Sequence, residues 1–108
     1  MVEHSSQLDE VFGSLADPTR RDILKRLSKK KMSVSEIAQS YELTFAAISK
    51  HLKILEKSKL VKKEKKGKQQ IVQIVPDKLK DAAQYLRDYE KVWNLRLDAL
   101  EEYLQQNP

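Results

Sequence analysis

Apolar side chains recur along this chain with two different periods, and each period predicts an element. Leu8, Val11, Phe12 and Leu15 fall at i, i+3, i+4 and i+7, which puts four apolar groups on one face of a short first helix ending near Ala16. Asp17-Pro18 follows, an N-cap acceptor ahead of a residue with no amide proton to satisfy, and opens a second helix with Ile23, Leu24 and Leu27 inward. Lys29, Lys30 and Lys31 stand where the C-terminal end of that helix's dipole favours cations. Ser33-Val34-Ser35-Glu36 is a capping box and predicts a short third helix with Val34, Ile37, Ala38 and Tyr41 inward.

A break of about three residues, Tyr41-Glu42-Leu43, separates this helix from the next N-cap, Thr44. Leu43 and Ile48 occupy the N′ and N4 positions of a hydrophobic staple. The fourth helix runs from Phe45 to about Ser58. At 100° per residue Ile48, Leu52 and Leu55 cluster on one side, and Ala46, Ser49, Lys50, Lys53 and Lys57 on the other. One face is core; the opposite face is small or cationic.

The period then changes to two. Leu60 to Lys65 and Gln69 to Val75 are strand-like runs joined by Lys66-Gly67-Lys68, a β-hairpin with Gly67 available for positive φ. Pro76-Asp77 ends the second run and opens a last helical stretch without internal Gly or Pro until Pro108. Its stripe includes Leu79, Ala82, Leu86, Tyr89, Val92, Trp93, Leu97, Leu100 and Leu104. A helix of roughly 28 residues spans about 42 Å, more than so small a core can cover, so part of it needs a partner. The expected fold class is mainly α with a small antiparallel β-hairpin, a single domain over residues 1–108. Residues 8–75 form its core and residues 77–106 the long C-terminal helix.

Charge changes the picture once it is mapped. Residues 50–68 hold nine Lys against Glu56 and Glu64, whereas the rest of the chain is balanced or slightly acidic. A concentrated positive segment is how a protein meets a polyanion, although a lysine run alone is also an ordinary solvated surface. The chain has no Cys, which excludes disulfides, thiol catalysis and thiolate metal sites. No apolar run approaches the ~18 residues of a membrane span, and Met1 to Ser14 lacks a signal-peptide pattern; a cytoplasmic protein without membrane contact is expected. With no Gly-rich phosphate loop, no nucleophile beside a base and no isolated carboxylate pair, an enzyme is not expected, nor a cofactor.

Three helices, a tight turn, a fourth helix and a hairpin are the order of a winged helix-turn-helix, whose helix after the turn enters the major groove. Ala46 and Ser49 are small enough for close approach to base edges, and Lys50, Lys53 and Lys57 point the same way. Three segments resemble the ArsR-type winged-helix repressors of bacteria and archaea. They are Ala16-Asp17-Pro18-Thr19-Arg20-Arg21-Asp22-Ile23-Leu24, Leu43-Thr44-Phe45-Ala46-Ala47-Ile48-Ser49-Lys50-His51-Leu52-Lys53-Ile54-Leu55, and Leu60-Val61 with the Lys66-Gly67-Lys68 wing. The resemblance covers about residues 8–75 and implies a homodimeric, autoregulating repressor that dimerises through its first and last helices. Phe45 stands where the family commonly has a polar base-contacting residue, and Lys59 where a Gly usually follows the recognition helix. The family's metal sensors use Cys near the third helix, or Asp and His on the last; this chain has no Cys and no His after His51.

The residues expected at double-stranded DNA are therefore Thr44, Phe45, Ala46, Ser49, Lys50, His51, Lys53, Lys57, Lys65, Lys66 and Lys68. Those expected at the homodimer interface are Leu8, Val11, Phe12, Leu15, Leu86, Tyr89, Trp93, Leu97, Leu100 and Leu104. No metal site is expected, since His4 and His51 would need further ligands, and an inducer, where one exists, is a small molecule or a protein. His51 borders the core stripe and reads either as a satisfied, half-buried histidine or as a DNA contact. Phe45 either packs beneath the turn or faces DNA, and Trp93 is an interface or core residue before it is a pocket wall. Arg20 and Arg21 read equally as phosphate contacts or as solvated surface. The rival function is a winged-helix protein-interaction module whose basic wing grips an acidic partner; a small, cationic face on the fourth helix argues for DNA instead.

Overall fold

The computed structural model describes residues 6–106. Helices α1 (Ser6–Ser14), α2 (Pro18–Leu27), α3 (Val34–Gln39), α4 (Phe45–Lys57) and α5 (Asp77–Gln106) surround strands β1 (Met32–Ser33), β2 (Val61–Lys66) and β3 (Gln69–Ile74). Among the described residues no helix is long and apolar enough to cross a membrane.

The caps form as the sequence dictates. The Asp17 carboxylate accepts from the Arg20 amide at 2.9 Å, the Ser33 hydroxyl from the Glu36 amide and Glu36 in return from the Ser33 amide, both at 3.1 Å. Thr44 Oγ1 accepts from the Ala47 amide at 3.1 Å. These bonds hold the Asp17 and Glu36 carboxyls below their ordinary range, because a backbone amide donates to each charged form. Of the expected staple only Ile48 joins the core; Leu43 remains 41% exposed.

The sheet has one strand more than expected. All pairs are antiparallel in the order β1-β3-β2, with Met32 opposite Val72 and Ser33 opposite Ile71. Two residues carry no readable period, and Ser33 already has the extended backbone (φ −74°, ψ 157°) that its N-cap role requires. The hairpin closes as expected, with Lys66 paired to Gln69 across Gly67-Lys68. Gly67 takes φ +62°, the left-handed value this two-residue loop needs at its first position.

Ile23, Ile37, Ile48, Leu52, Leu55, Leu60 and Val72 have no exposed surface and form the centre of one core. Val11, 1% exposed, belongs to it as well, so α1 packs one side into its own protomer and Val11 is lost to the expected dimer surface. Helix α5 behaves differently. Of its 30 residues only Ala82 is buried, and its length draws the Cα radius of gyration out to 19.1 Å, against about 13 Å for a compact chain of this size.

Tyr41 braces α2 beside the tight turn. Its hydroxyl donates to Asp22 at 2.5 Å, Asp22 also takes Arg26 Nε at 3.1 Å, and the Arg26 guanidinium lies 5.0 Å from the Tyr41 ring centre. The Tyr41 hydroxyl and then Arg26 hold the Asp22 carboxyl low. Burial, reinforced by the bond to Asp22, pushes the Tyr41 phenol up to about 12.

Helix α4 ends in a Schellman arrangement: the Lys59 amide donates to the Glu56 carbonyl and the Leu60 amide to the Leu55 carbonyl, both at 3.0 Å. The arrangement requires Lys59 at φ +61°, a conformation that crowds any Cβ.

Two outcomes follow from these local geometries. Lys59→Gly removes the crowded Cβ and raises the unfolding free energy by about 1 kcal/mol in urea titrations; an unchanged midpoint would refute the strain. In an ultraviolet pH titration one phenol ionises near pH 12, and Tyr41→Phe abolishes that step. Because the folded value is raised, stability from Tyr41 is complete below about pH 10 and declines as pH climbs towards 12.

Candidate nucleic-acid interface

Burial of Ile48, Leu52 and Leu55 fixes how α4 is rotated, and so decides which side chains it offers to solvent. Ala46, Lys50, Lys53 and Lys57 are exposed, as is Thr44 at the cap. Ser49 lies half-buried at the edge of that face. Phe45 is 59% exposed, so of its two readings the one that packs it beneath the turn fails. The face is small near the helix start and cationic along its length.

His51 resolves the other way. It is half-buried, with Nδ1 3.4 Å from Arg20 Nη1 and 3.8 Å from Asp17 Oδ2. Its ring nitrogen thus serves the joint between α4 and the start of α2, the satisfied-histidine reading. Arg20 itself donates from Nε to the Ser14 carbonyl at 2.8 Å and from Nη2 to the Gly13 carbonyl at 3.3 Å. Arg21 donates to the Leu15 carbonyl at 2.8 Å. Both guanidiniums finish carbonyls at the α1–α2 corner, and Arg21 remains exposed there.

The hairpin extends the positive surface. Alternation along β2 turns Val61 and Lys63 towards α4, and Lys63 Nζ lies 3.9 Å from Glu56 Oε1 on that helix. Lys65 and Lys66 are exposed at the far end of the ladder and Lys68 is exposed in the loop. Opposite them stand Gln70 and Gln69, both exposed. Sequence reasoning passed over these two amides, although polar residues at the loop end of an otherwise β-branched strand were the available signal.

A second cationic cluster lies elsewhere: Lys29, Lys30 and Lys31 are exposed in the connection beyond α2, which ends at Leu27. For the metal question, His4 lies outside the described residues, and among the described residues no group of three His, Asp or Glu is arranged to hold an ion.

Of the residues expected at a dimer contact, Leu8, Phe12 and Leu15 on α1 are half-buried. Leu86, Tyr89, Trp93, Leu97, Leu100 and Leu104 on α5 are each 50–57% exposed. An aromatic series runs along this surface, with ring centres 6.0 Å apart for Phe12 and Tyr85, 6.3 Å for Tyr85 and Tyr89, and 6.2 Å for Tyr89 and Trp93. Half the surface of Trp93 is open.

Known proteins share both the pattern and the shape. The sequence profile of the bacterial regulatory proteins of the arsR family matches residues 17–63, from the N-cap of α2 into β2. The HTH-type transcriptional regulator Rv2034 of Mycobacterium tuberculosis is 33% identical over 89 residues, 82% of this chain and 80% of its own length. The transcriptional repressor SdpR of Bacillus subtilis is 35% identical over 60 residues, 56% of this chain and 67% of its own. The crystal structure of the ArsR family transcriptional regulator RHA00566 superposes with a TM-score of 0.79 at 31% identity, covering 87% of this chain and 97% of that one. With the helix-turn-helix, the wing and the long last helix all in place, this chain belongs to the ArsR family of winged-helix transcriptional regulators and is not an enzyme.

Proposed function

We propose that the chain is a homodimeric repressor that binds an inverted-repeat operator in double-stranded DNA and does not sense metal through Cys or His. The observation that carries this reading is the exposed face of α4, small at Ala46 and cationic at Lys50, Lys53 and Lys57, beside a wing tip bearing Lys65, Lys66 and Lys68. Small side chains let a helix approach base edges, and lysines supply guanine or phosphate contacts. Phe45 and the edge residue Ser49 face the same groove; an exposed aromatic ring there suits the methyl groups of thymine. Thr44 contributes from the cap and His51 through its hold on the helix. Gln69 and Gln70 add hydrogen-bonding amides beside the lysines of the wing.

Dimerisation rests on α5. Each half-exposed Leu, Tyr or Trp of its stripe that becomes covered contributes about 1 kcal/mol before ordering costs, and a two-fold axis doubles every contact. Leu8, Phe12 and Leu15 extend the stripe on α1, whereas Val11 supports it from within. A symmetric dimer holds two copies of α4 about 34 Å apart, one turn of DNA, which is why the operator should be an inverted repeat. Repression rather than activation is supported by the kinship with a transcriptional repressor of Bacillus subtilis. The absence of Cys from the sequence supports regulation by something other than a thiolate-bound metal.

A duplex pool with random sequence, followed by affinity measurements at several salt concentrations, tests the reading. With roughly six to eight phosphates neutralised per dimer, log affinity falls with log salt at a slope of about −5 to −7. Replacing Lys65, Lys66 and Lys68 together by Ala flattens the slope and leaves the sequence preference, whereas Ser49→Ala or Lys50→Ala relaxes preference at particular bases. Zn²⁺ leaves both unchanged. A salt-independent complex, or no retained duplex at all, would defeat the proposal in favour of a protein-binding module.

Truncation after Arg87 tests the dimer. Sedimentation at micromolar concentration should give a dimer for the full chain and a monomer for the truncated one, and the monomer should bind an inverted repeat at least about a hundredfold more weakly. A full chain that sediments as a monomer would overturn the arrangement.

A further inference from the structure

Helix α1 packs on α5 and also on α4, so it stands between the proposed dimer surface and the proposed reading helix. Its contact with α4 is not purely apolar. Ser14 on α1 and Ser58, the C-cap of α4, are 1% and 2% exposed, and their hydroxyls are hydrogen-bonded to each other. Ser58 Oγ also lies 3.1 Å from the Glu10 carbonyl of α1 and 3.0 Å from the Ile54 carbonyl of its own helix. Gln7 completes the set, donating from Nε2 to the Ser58 carbonyl at 3.0 Å. Three residues of α1 therefore close on one residue at the end of α4.

We infer that Ser58, Ser14 and Gln7 are positioning residues: they fix the axis of α4 against α1, and through α1 set the separation of the two reading helices in the dimer. The inference deepens the functional reading above and rests on it. An apolar contact between two helices lets them slide or tilt by a fraction of a turn at small cost, because dispersion is non-directional. A buried hydroxyl pair does not, since movement strands polar groups that water cannot reach. Helix α4 has 13 residues, so it is about 20 Å long. A tilt of about 10° about Ser58 carries its first turn through about 3 Å, close to the rise of one base pair.

The first turn, which bears Phe45 and Ala46, is thus the part most sensitive to the anchor at the far end. A second tie acts midway along the helix. Arg20, bonded to the Ser14 carbonyl, approaches His51 and joins α4 to the same end of α1. Two polar attachments on one element leave the helix little freedom to swing.

The test uses the full chain and the half-site it selects from a random duplex pool, built into inverted repeats whose spacing is stepped by single base pairs. The wild-type chain should prefer one spacing by about tenfold over its neighbours. Ser58→Ala and Gln7→Ala should each reduce that preference to about threefold or less while remaining dimeric and holding a single half-site within about threefold of wild type. Gln7 is only half-buried, so its variant keeps the test decisive if Ser58→Ala unfolds. Folded, dimeric variants with the wild-type spacing preference, or with an equal loss at every spacing, overturn the inference and leave the functional reading intact. A wild-type chain that stays monomeric or binds no duplex overturns that reading and the inference with it.

Discussion

Three side chains on one side of a single helix, Ile48, Leu52 and Leu55, constrain nearly everything else in this protein. Each is wholly buried, and together they seat α4 in the core with one rotation about its own axis. Once that rotation is set, Ala46, Lys50, Lys53 and Lys57 can only face outwards. The chemistry of the outer face is therefore a by-product of apolar burial on the inner one. The same core receives Val61 and Val72 from the sheet, which brings the hairpin alongside α4 and ties Lys63 to Glu56.

Apolar packing seats the helix, but polar groups set its attitude. Around α4 the long-range bonds come from a few residues: Ser14, Gln7 and the Glu10 carbonyl on α1, and Arg20 and Asp17 at the start of α2. Among the described residues no buried side-chain nitrogen or oxygen lacks a partner, so this network does not leave a polar group stranded. Satisfied polar contacts inside a small core add little net stability, yet they discriminate sharply between one packing and its near neighbours.

Helix α5 follows a different logic. Ala82 anchors it, Leu79 packs against the core, and beyond them the apolar stripe continues with half its surface open. A surface helix in a finished monomer turns its apolar stripe to its own core. This one carries the stripe past the end of the core and leaves it half open, the apolar surface that the proposed second copy would cover. The Phe12, Tyr85, Tyr89 and Trp93 rings bridge the covered and uncovered parts, starting on α1 and running out along α5.

What the sequence determined by itself was local or periodic. Apolar spacing located five helices and two long strands, and Asp17, Ser33 and Thr44 marked three helix starts because an N-cap is read within four residues of chain. Gly67 marked the hairpin turn, and the lysine concentration marked the hairpin as part of the charged surface, since charge needs no structure to be counted. Tertiary structure alone decided the rest. Strand β1 exists only because β3 lies beside it, Val11 is core rather than surface because α4 and α5 close over α1, and His51 faces Arg20 across 31 positions of sequence. The Ser14–Ser58 pair joins residues 44 apart, and neither serine stands out in the chain. Contacts of that range leave no period in the sequence; they are fixed by how whole elements pack, and a few ångströms of packing separate a buried partner from a solvated one.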